Sequence, residues 1–227
     1  MSIFTIIPVK MLSKSKSRLS DVLSLDERQM LTLSMFEDVL RSVTNSQVID
    51  KVVVISPDQA VSKIAKSYDV DVITEKTSRG MNPAVREAIE YSSRKGAQKV
   101  LVIPADIPLV APRDLEEIVS LGKDVSVVIS PSKSEKGTNA LLLSPPDIIP
   151  TSYGQNSFKL HIDAAVKRGI PVEIYRSKRV ALDIDRPEDL IDFINLKPAT
   201  LSYKSLMRIA IAERLRASSQ LAVPVLS

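Results

Sequence analysis

Residues 51–109 read KVVVISPDQAVSKIAKSYDVDVITEKTSRGMNPAVREAIEYSSRKGAQKVLVIPADIPL, and their rhythm decides the fold. Three short runs rich in β-branched residues, Lys51–Ser56, Val70–Thr74 and Lys99–Ile103, read as strands. A longer stretch of helical pattern separates each from the next, with Pro57 and Pro83 where the first turn of a helix accepts proline. Runs that stay apolar throughout belong to strands covered on both faces. The β-α-β-α-β order therefore predicts an α/β fold, a mainly parallel sheet flanked by helices, with ligands beyond the carboxyl ends of the strands.

The same reading extends in both directions. Ile3–Val9, Val125–Ser130 and Pro171–Tyr175 read as further strands. Ser24-Leu25-Asp26-Glu27 is a capping box that opens a helix running to about Val43, and Pro112 and Pro187 suit two later helix starts. The segment GTNALLLS, residues 137–144, breaks the strict alternation and predicts a later strand that makes the sheet mixed. After Asn195 the chain turns basic and helix-prone over Tyr203–Ala217, then apolar in LAVPVLS. Residues 1–196 are read as one domain and 197–227 as a helical extension, which packs on its own domain or on a second subunit.

Composition narrows the chemistry. With 227 residues and 44% apolar content the chain can bury one good core. It has no Cys, which excludes disulfides, thiolate zinc and a cysteine nucleophile, and a single His161 cannot build a histidine metal cluster. His161 is read as structural. No Trp and 4% aromatics leave little for stacking single-stranded nucleic acid. No apolar run reaches the roughly 18 residues of a membrane span, and the start MSIFTIIPVK lacks a signal-peptide pattern, so a cytoplasmic protein without nucleic-acid or membrane partners is expected. The net charge of +4 decides little, since 27 acidic residues are mixed with 31 basic ones.

Local charge is more telling. Lys10, Lys14, Lys16 and Arg18 fall within nine residues free of acid, on the loop leaving the first strand. Such a loop can neutralise a triphosphate whose charge shifts toward leaving pyrophosphate, or it can be a solvated basic turn. It is not a P-loop, because the glycine-rich pattern is missing. Asp106 follows an apolar strand between Pro104 and Pro108, where a carboxylate can hold magnesium against phosphate oxygens or cap a turn. Asp183 and Asp185 alternate on what reads as the end of a strand before Pro187, so both can face one site, or one can cap the helix. Gly137-Thr138-Asn139-Ala140 and Tyr153–Phe158 supply a helix start that can grip an anion or simply a Ser cap behind a glycine turn.

Four ordered stretches, IPVKMLSKSKSRL, PADIPLV, GTNALLL with YGQNSF, and ALDIDRPEDL, resemble the 2-phospho-L-lactate guanylyltransferase family of coenzyme F-420 biosynthesis over roughly residues 3 to 195. The resemblance implies a glycosyltransferase-A-like nucleotidyltransferase fold, GTP as donor and (2S)-2-phospholactate as acceptor, with phosphoenolpyruvate used by similar bacterial proteins. By the same likeness Thr138, Gly154 and Ser157 hold the phosphorylated acid. Asp106 and Asp185, with Asp183, hold Mg2+ or Mn2+. Lys10, Lys16 and Arg18 face the triphosphate and, with Asp106, act in the transfer. Gly80 and Asn82, in the segment Arg79–Ala84, match a loop placed near the nucleotide base. A homodimer is also implied. The basic extension from Lys197 lies beyond the familiar pattern.

Overall fold

The computed structural model describes residues 1–77, 79–122, 125–211 and 213–215. Its seven strands are β1 (Ile3–Pro8), β2 (Lys51–Ser56), β3 (Asp71–Thr74), β4 (Lys99–Val102), β5 (Ser126–Pro131), β6 (Thr138–Ser144) and β7 (Val172–Ile174). They form one sheet in the order β3-β2-β1-β4-β6-β5-β7. β3, β2, β1 and β4 pair in parallel, β6 runs antiparallel to both β4 and β5, and β7 is parallel to β5. The mixed sheet expected from GTNALLLS is thus realised by β6.

Alternation within the central strands explains their unbroken apolar runs. Ile7, Val52, Val54, Leu101 and Ile103 pack into the core under α1 (Leu25–Thr44), α2 (Gln59–Lys66) and α4 (Pro112–Leu121). Phe4, Ile6, Val53, Ile55, Val100 and Val102 face the opposite core, with α3 (Met81–Arg94) and α5 (Ser157–Val166). Both faces are covered, so a polar side chain in these strands is costly unless paired, and Thr5 of β1 is fully buried with a hydroxyl that has no hydrogen-bond partner among the described residues. The capping box of α1 forms as read, with the Ser24 side chain accepting from the Glu27 amide and the Glu27 carboxylate accepting from the Ser24 amide.

Proline positions follow local geometry. Pro112 and Pro187 occupy the first turn of α4 and of α7 (Pro187–Asn195). α2 instead starts at Gln59, because Asp58 caps it by accepting from the Ala60 amide, and Pro57 lies outside. The one clear departure concerns Asp183 and Asp185. They follow a one-turn helix, α6 (Lys178–Ala181), and lie in a loop before α7, not on a strand.

α8 (Leu201–Arg208) lies against α1 in a third apolar cluster that includes Leu31, Met35, Phe193 and Leu206. The buried Asp38 of α1 accepts from the backbone amides of Leu201 and Ser202 and from the Ser202 hydroxyl, at 2.7, 2.9 and 2.6 Å, and so serves as an N-terminal cap supplied from another helix. Residues 216–227, with the apolar tail LAVPVLS, lie outside the described residues.

A buried carboxylate fixes the segment that leads to Asp183. Asp114 of α4 accepts from the Tyr175 hydroxyl, the Ser177 hydroxyl, two nitrogens of Arg179 and the Ala111 amide. Burial opposes its ionisation, but hydrogen bonds from Arg179, Tyr175 and Ser177 hold its carboxyl below the usual range. Asp114→Ala should lower stability by about 2–4 kcal/mol in denaturant unfolding at pH 7, because several donors lose one acceptor together. A group with a depressed native pKa stabilises above its unfolded value, so the gap between wild type and variant should narrow only below pH ~4.

Candidate active site

A cleft of about 290 Å³ opens at the carboxyl ends of β1, β2 and β4, where a sheet of this kind presents its ligand site. Pro8 and Val9, Ile55, and Pro104 with Ala105 form its floor. One wall is the loop carrying Lys10, Lys14, Lys16 and Arg18, which folds as two 3₁₀ turns, Leu12–Lys14 and Ser17–Leu19. Asp58 anchors that loop by accepting from the Leu12 amide at 3.1 Å while it caps α2.

Lys16 is the centre of the site. Its side chain is only 6% exposed, and its ammonium donates to Asp106 Oδ2 at 2.7 Å and to Asp185 Oδ1 at 3.3 Å. Arg18 donates to the other oxygen of Asp185 at 2.6 Å from a more exposed position. Lys16 takes a left-handed backbone conformation, φ 51° and ψ 37°, which costs a non-glycine residue on the order of 1 kcal/mol. The strain is held because the 3₁₀ turn that follows and the two carboxylates fix both ends of the residue. Burial opposes the charge on Lys16, yet Asp106 and Asp185 together raise its pKa above the ordinary lysine value. Asp185 is likewise opposed by burial but held below the usual carboxylate range by Lys16, Arg18 and Lys10.

Backbone bonds make the carboxylates converge. The Ile184 amide donates to the Asp106 carbonyl at 3.0 Å and staples the two acidic loops together. Asp189 accepts from the amides of Asp185 and Arg186, which fixes the start of α7 under Asp185. Asp183 is pushed above the usual carboxylate range by burial and then by the negative charge of Asp106. It also accepts from Asn139 Nδ2 at 3.0 Å, the same nitrogen that donates to the Val180 and Ala181 carbonyls. Among the described residues, no group of three or more His, Cys, Asp or Glu side chains already converges at metal-binding spacing. Asp106 and Asp185 share one buried ammonium, and Asp106 is near enough to Asp183 to raise its pKa; carboxylate oxygens are the donors a hard cation takes.

Thr138, Gly154 and Ser157 do not line this cleft, but Thr138 precedes Asn139 on β6 and so sits next to the Asp183 link. The Thr138 hydroxyl is paired with His161 Nδ1 at 3.0 Å. His161 Nε2 accepts from the Ser152 amide at 2.8 Å, and since an amide can only donate, Nδ1 carries the ring proton. That proton goes to the Thr138 oxygen and leaves the Thr138 O–H to donate elsewhere. His161 is thus more than a filler of the core. Burial lowers its pKa to about 4, so the ring is neutral at physiological pH.

Gly80 lines the cleft at the start of α3 with φ +95°, a backbone region open to glycine. Asn82 does not line it. Its carboxamide donates to the Tyr153 carbonyl at 2.9 Å and accepts from the Tyr153 amide at 2.6 Å, so it ties α3 to the loop ahead of Gly154. Asn82 therefore ties the start of α3 to that loop. Asp58 and Glu75 had no place in the sequence reading, and Asn139 entered it only as part of Gly137-Thr138-Asn139-Ala140. Glu75 carried the same signal as Asp106, a carboxylate directly after an apolar strand.

An α/β sheet with this strand order, and a cleft at its strand ends lined by cations and carboxylates, define a nucleotidyltransferase-type fold. Residues 3–226 match the family described as "Guanylyl transferase CofC like". The chain belongs to that family. It is 39% identical over 191 residues to the phosphoenolpyruvate guanylyltransferase of Rubrobacter xylanophilus, covering 84% of this chain and 92% of that one. It is 35% identical over 192 residues to the 2-phospho-L-lactate guanylyltransferase of Methanobrevibacter smithii, covering 85% and 84%. Among solved structures, a nucleotidyl transferase from Methanothermobacter superposes with a TM-score of 0.67 at 15% identity, covering 86% of this chain and 97% of that one, a likeness of fold.

His161 makes a pH-dependent contribution to stability. Its native pKa of about 4 lies below the unfolded value near 6.5, so its contribution is complete above pH ~6.5 and is lost as pH falls toward 4. Wild type should lose about 2 kcal/mol more than His161→Gln between pH 7 and pH 5 in denaturant unfolding, and equal losses would contradict the buried neutral ring.

Proposed function

We propose that this chain transfers GMP from GTP to (2S)-2-phospholactate, giving lactyl-2-diphospho-5'-guanosine and pyrophosphate for coenzyme F-420 biosynthesis. Membership of the guanylyl transferase family supports the reaction class. The observation that carries it is the buried Lys16 ammonium shared by Asp106 and Asp185 on the floor of a cleft rimmed by Lys10, Lys14 and Arg18.

In this reading a phosphate oxygen of the acceptor attacks the α-phosphorus of GTP. The bond from that phosphorus to the oxygen bridging the α- and β-phosphates breaks, and pyrophosphate leaves with the electron pair. The acceptor phosphate is already anionic, so no general base is required, and catalysis is positioning plus charge neutralisation. Lys10, Lys16 and Arg18 neutralise the departing pyrophosphate. Thr138, oriented by His161, donates to the acceptor, with the Gly154 loop and the head of α5 at Ser157 beside it. Asp106, Asp185 and Asp183 would hold Mg2+ or Mn2+, which when bound supplies charge neutralisation at phosphate oxygens. The reading includes a cytoplasmic location and, as the sequence resemblance implies, a homodimer.

Asp106→Asn should cut turnover by about 100-fold or more at saturating magnesium, and near-normal turnover would remove Asp106 from the machinery. Lys16→Ala should lower turnover well beyond its effect on thermal stability. Parallel assays with phospholactate and phosphoenolpyruvate decide the acceptor, a live question because the Rubrobacter relative is named for the second acid. Phospholactate should support the faster pyrophosphate release.

A further inference from the structure

At the end of the cleft away from Asp106 stands a carboxylate that the transfer chemistry does not use. Glu75 is the first residue after β3, and its amide extends the β3–β2 ladder by donating to the Ser56 carbonyl at 3.2 Å. β2 and β1 separate β3 from β4, so three interstrand steps, about 14 Å, lie between the strand ends that carry Glu75 and Asp106. An extended nucleotide spans a distance of this order from the pairing edge of its base to its α-phosphate.

The Glu75 side chain is 5% exposed. Its Oε1 is buried and accepts no hydrogen bond among the described residues, with the Arg79 guanidinium standing off at 4.0 Å. The Arg79 backbone amide bonds the carboxylate, and the Arg79 side chain is paired with Glu87. A buried acceptor of this strength, lining a cleft, is matched to donors carried by a ligand. Ile55, Met81 and Ala84 supply apolar surface beside it, and Gly80 keeps the adjoining wall free of a side chain.

We propose that Glu75 selects guanine, its carboxylate accepting the N1–H and one exocyclic N2–H of the base as a bidentate pair. The proposal rests on the guanylyl-transfer reading and names what that reading leaves open, the choice of base. Guanine alone among the common bases presents two adjacent donors on its pairing edge. Adenine turns the N1 lone pair toward the same position, and uracil flanks its single N3–H with carbonyl oxygens, so each leaves the carboxylate unpaired or repelled. A site built around such a pair rejects analogues that lack it far more strongly than an apolar pocket rejects a change of size.

The test is equilibrium binding of GTP, ITP, N1-methyl-GTP and ATP to the full chain, wild type and Glu75→Gln, by calorimetry, with pyrophosphate release followed in parallel. ITP lacks the N2 amino group and the methylated nucleotide lacks N1–H. Wild type should bind GTP tightest, ITP about 10-fold more weakly, and N1-methyl-GTP and ATP more weakly still. Glu75→Gln should lose about 10- to 100-fold in GTP affinity while its affinity for ATP stays within about threefold, which flattens the series. A Glu75→Gln protein that keeps the wild-type preference for GTP over ATP, or a wild type indifferent to loss of N1–H, would overturn the assignment. If the variant does not fold, a wild type indifferent to loss of N1–H still overturns the assignment. Selective GTP binding without pyrophosphate release from any acceptor would instead count against the transferase reading and leave the base assignment standing.

Discussion

A lysine ammonium buried between two carboxylates is the constraint on which the site depends. Lys16 meets Asp106 and Asp185 from positions 90 and 169 residues away in the chain, so three loops must arrive together before all of the charges are compensated. Removing one partner from such a group leaves a charge in a poorly solvated place, which is far more costly than never having buried it. The left-handed backbone at Lys16, the Ile184-to-Asp106 staple and the Asp189 cap under Asp185 all serve the same convergence.

The sheet explains why these loops can meet. β1 lies between β2 and β4, so the loop after β1 stands beside the ends of both neighbouring strands and meets the acidic loop past β4. β6, inserted antiparallel beside β4, brings its start, Thr138 and Asn139, to the same edge as the ends of the parallel strands. Asn139 then ties that strand to Asp183, and His161 orients Thr138 from α5. The loop 182–186 thus joins the cleft at β1 and β4 to the start of β6.

Much of this was legible in the sequence because it depends on short-range rules. The apolar runs of β1, β2 and β4, the Ser24 capping box and the first-turn prolines of α4 and α7 are local signals, and the structure follows them. The basic loop and the acidic positions at 106 and 185 were also visible, and the structure brings them into contact. What local pattern did not reveal needed tertiary information. The run ending at Asp183 was read as a strand, whereas Ser177 caps a one-turn helix there and Asp114, reached from α4, fixes the segment. The carboxamide of Asn82 has its partner at Tyr153, 71 residues away, which no local pattern reveals. His161, read as structural, is buried, and the partners that make it so, Thr138 and the Ser152 amide, are visible only in the fold.

The central claim is that the bond broken in GTP lies between the α- and β-phosphates and that the acceptor keeps the GMP. The most direct measurement follows label from GTP radiolabelled at either the α- or the γ-phosphorus into the products formed with phospholactate. The account predicts that α-label appears in the acid-linked diphosphate and γ-label in pyrophosphate. Transfer of γ-label to the acid, or its release as inorganic phosphate with GDP, would contradict it.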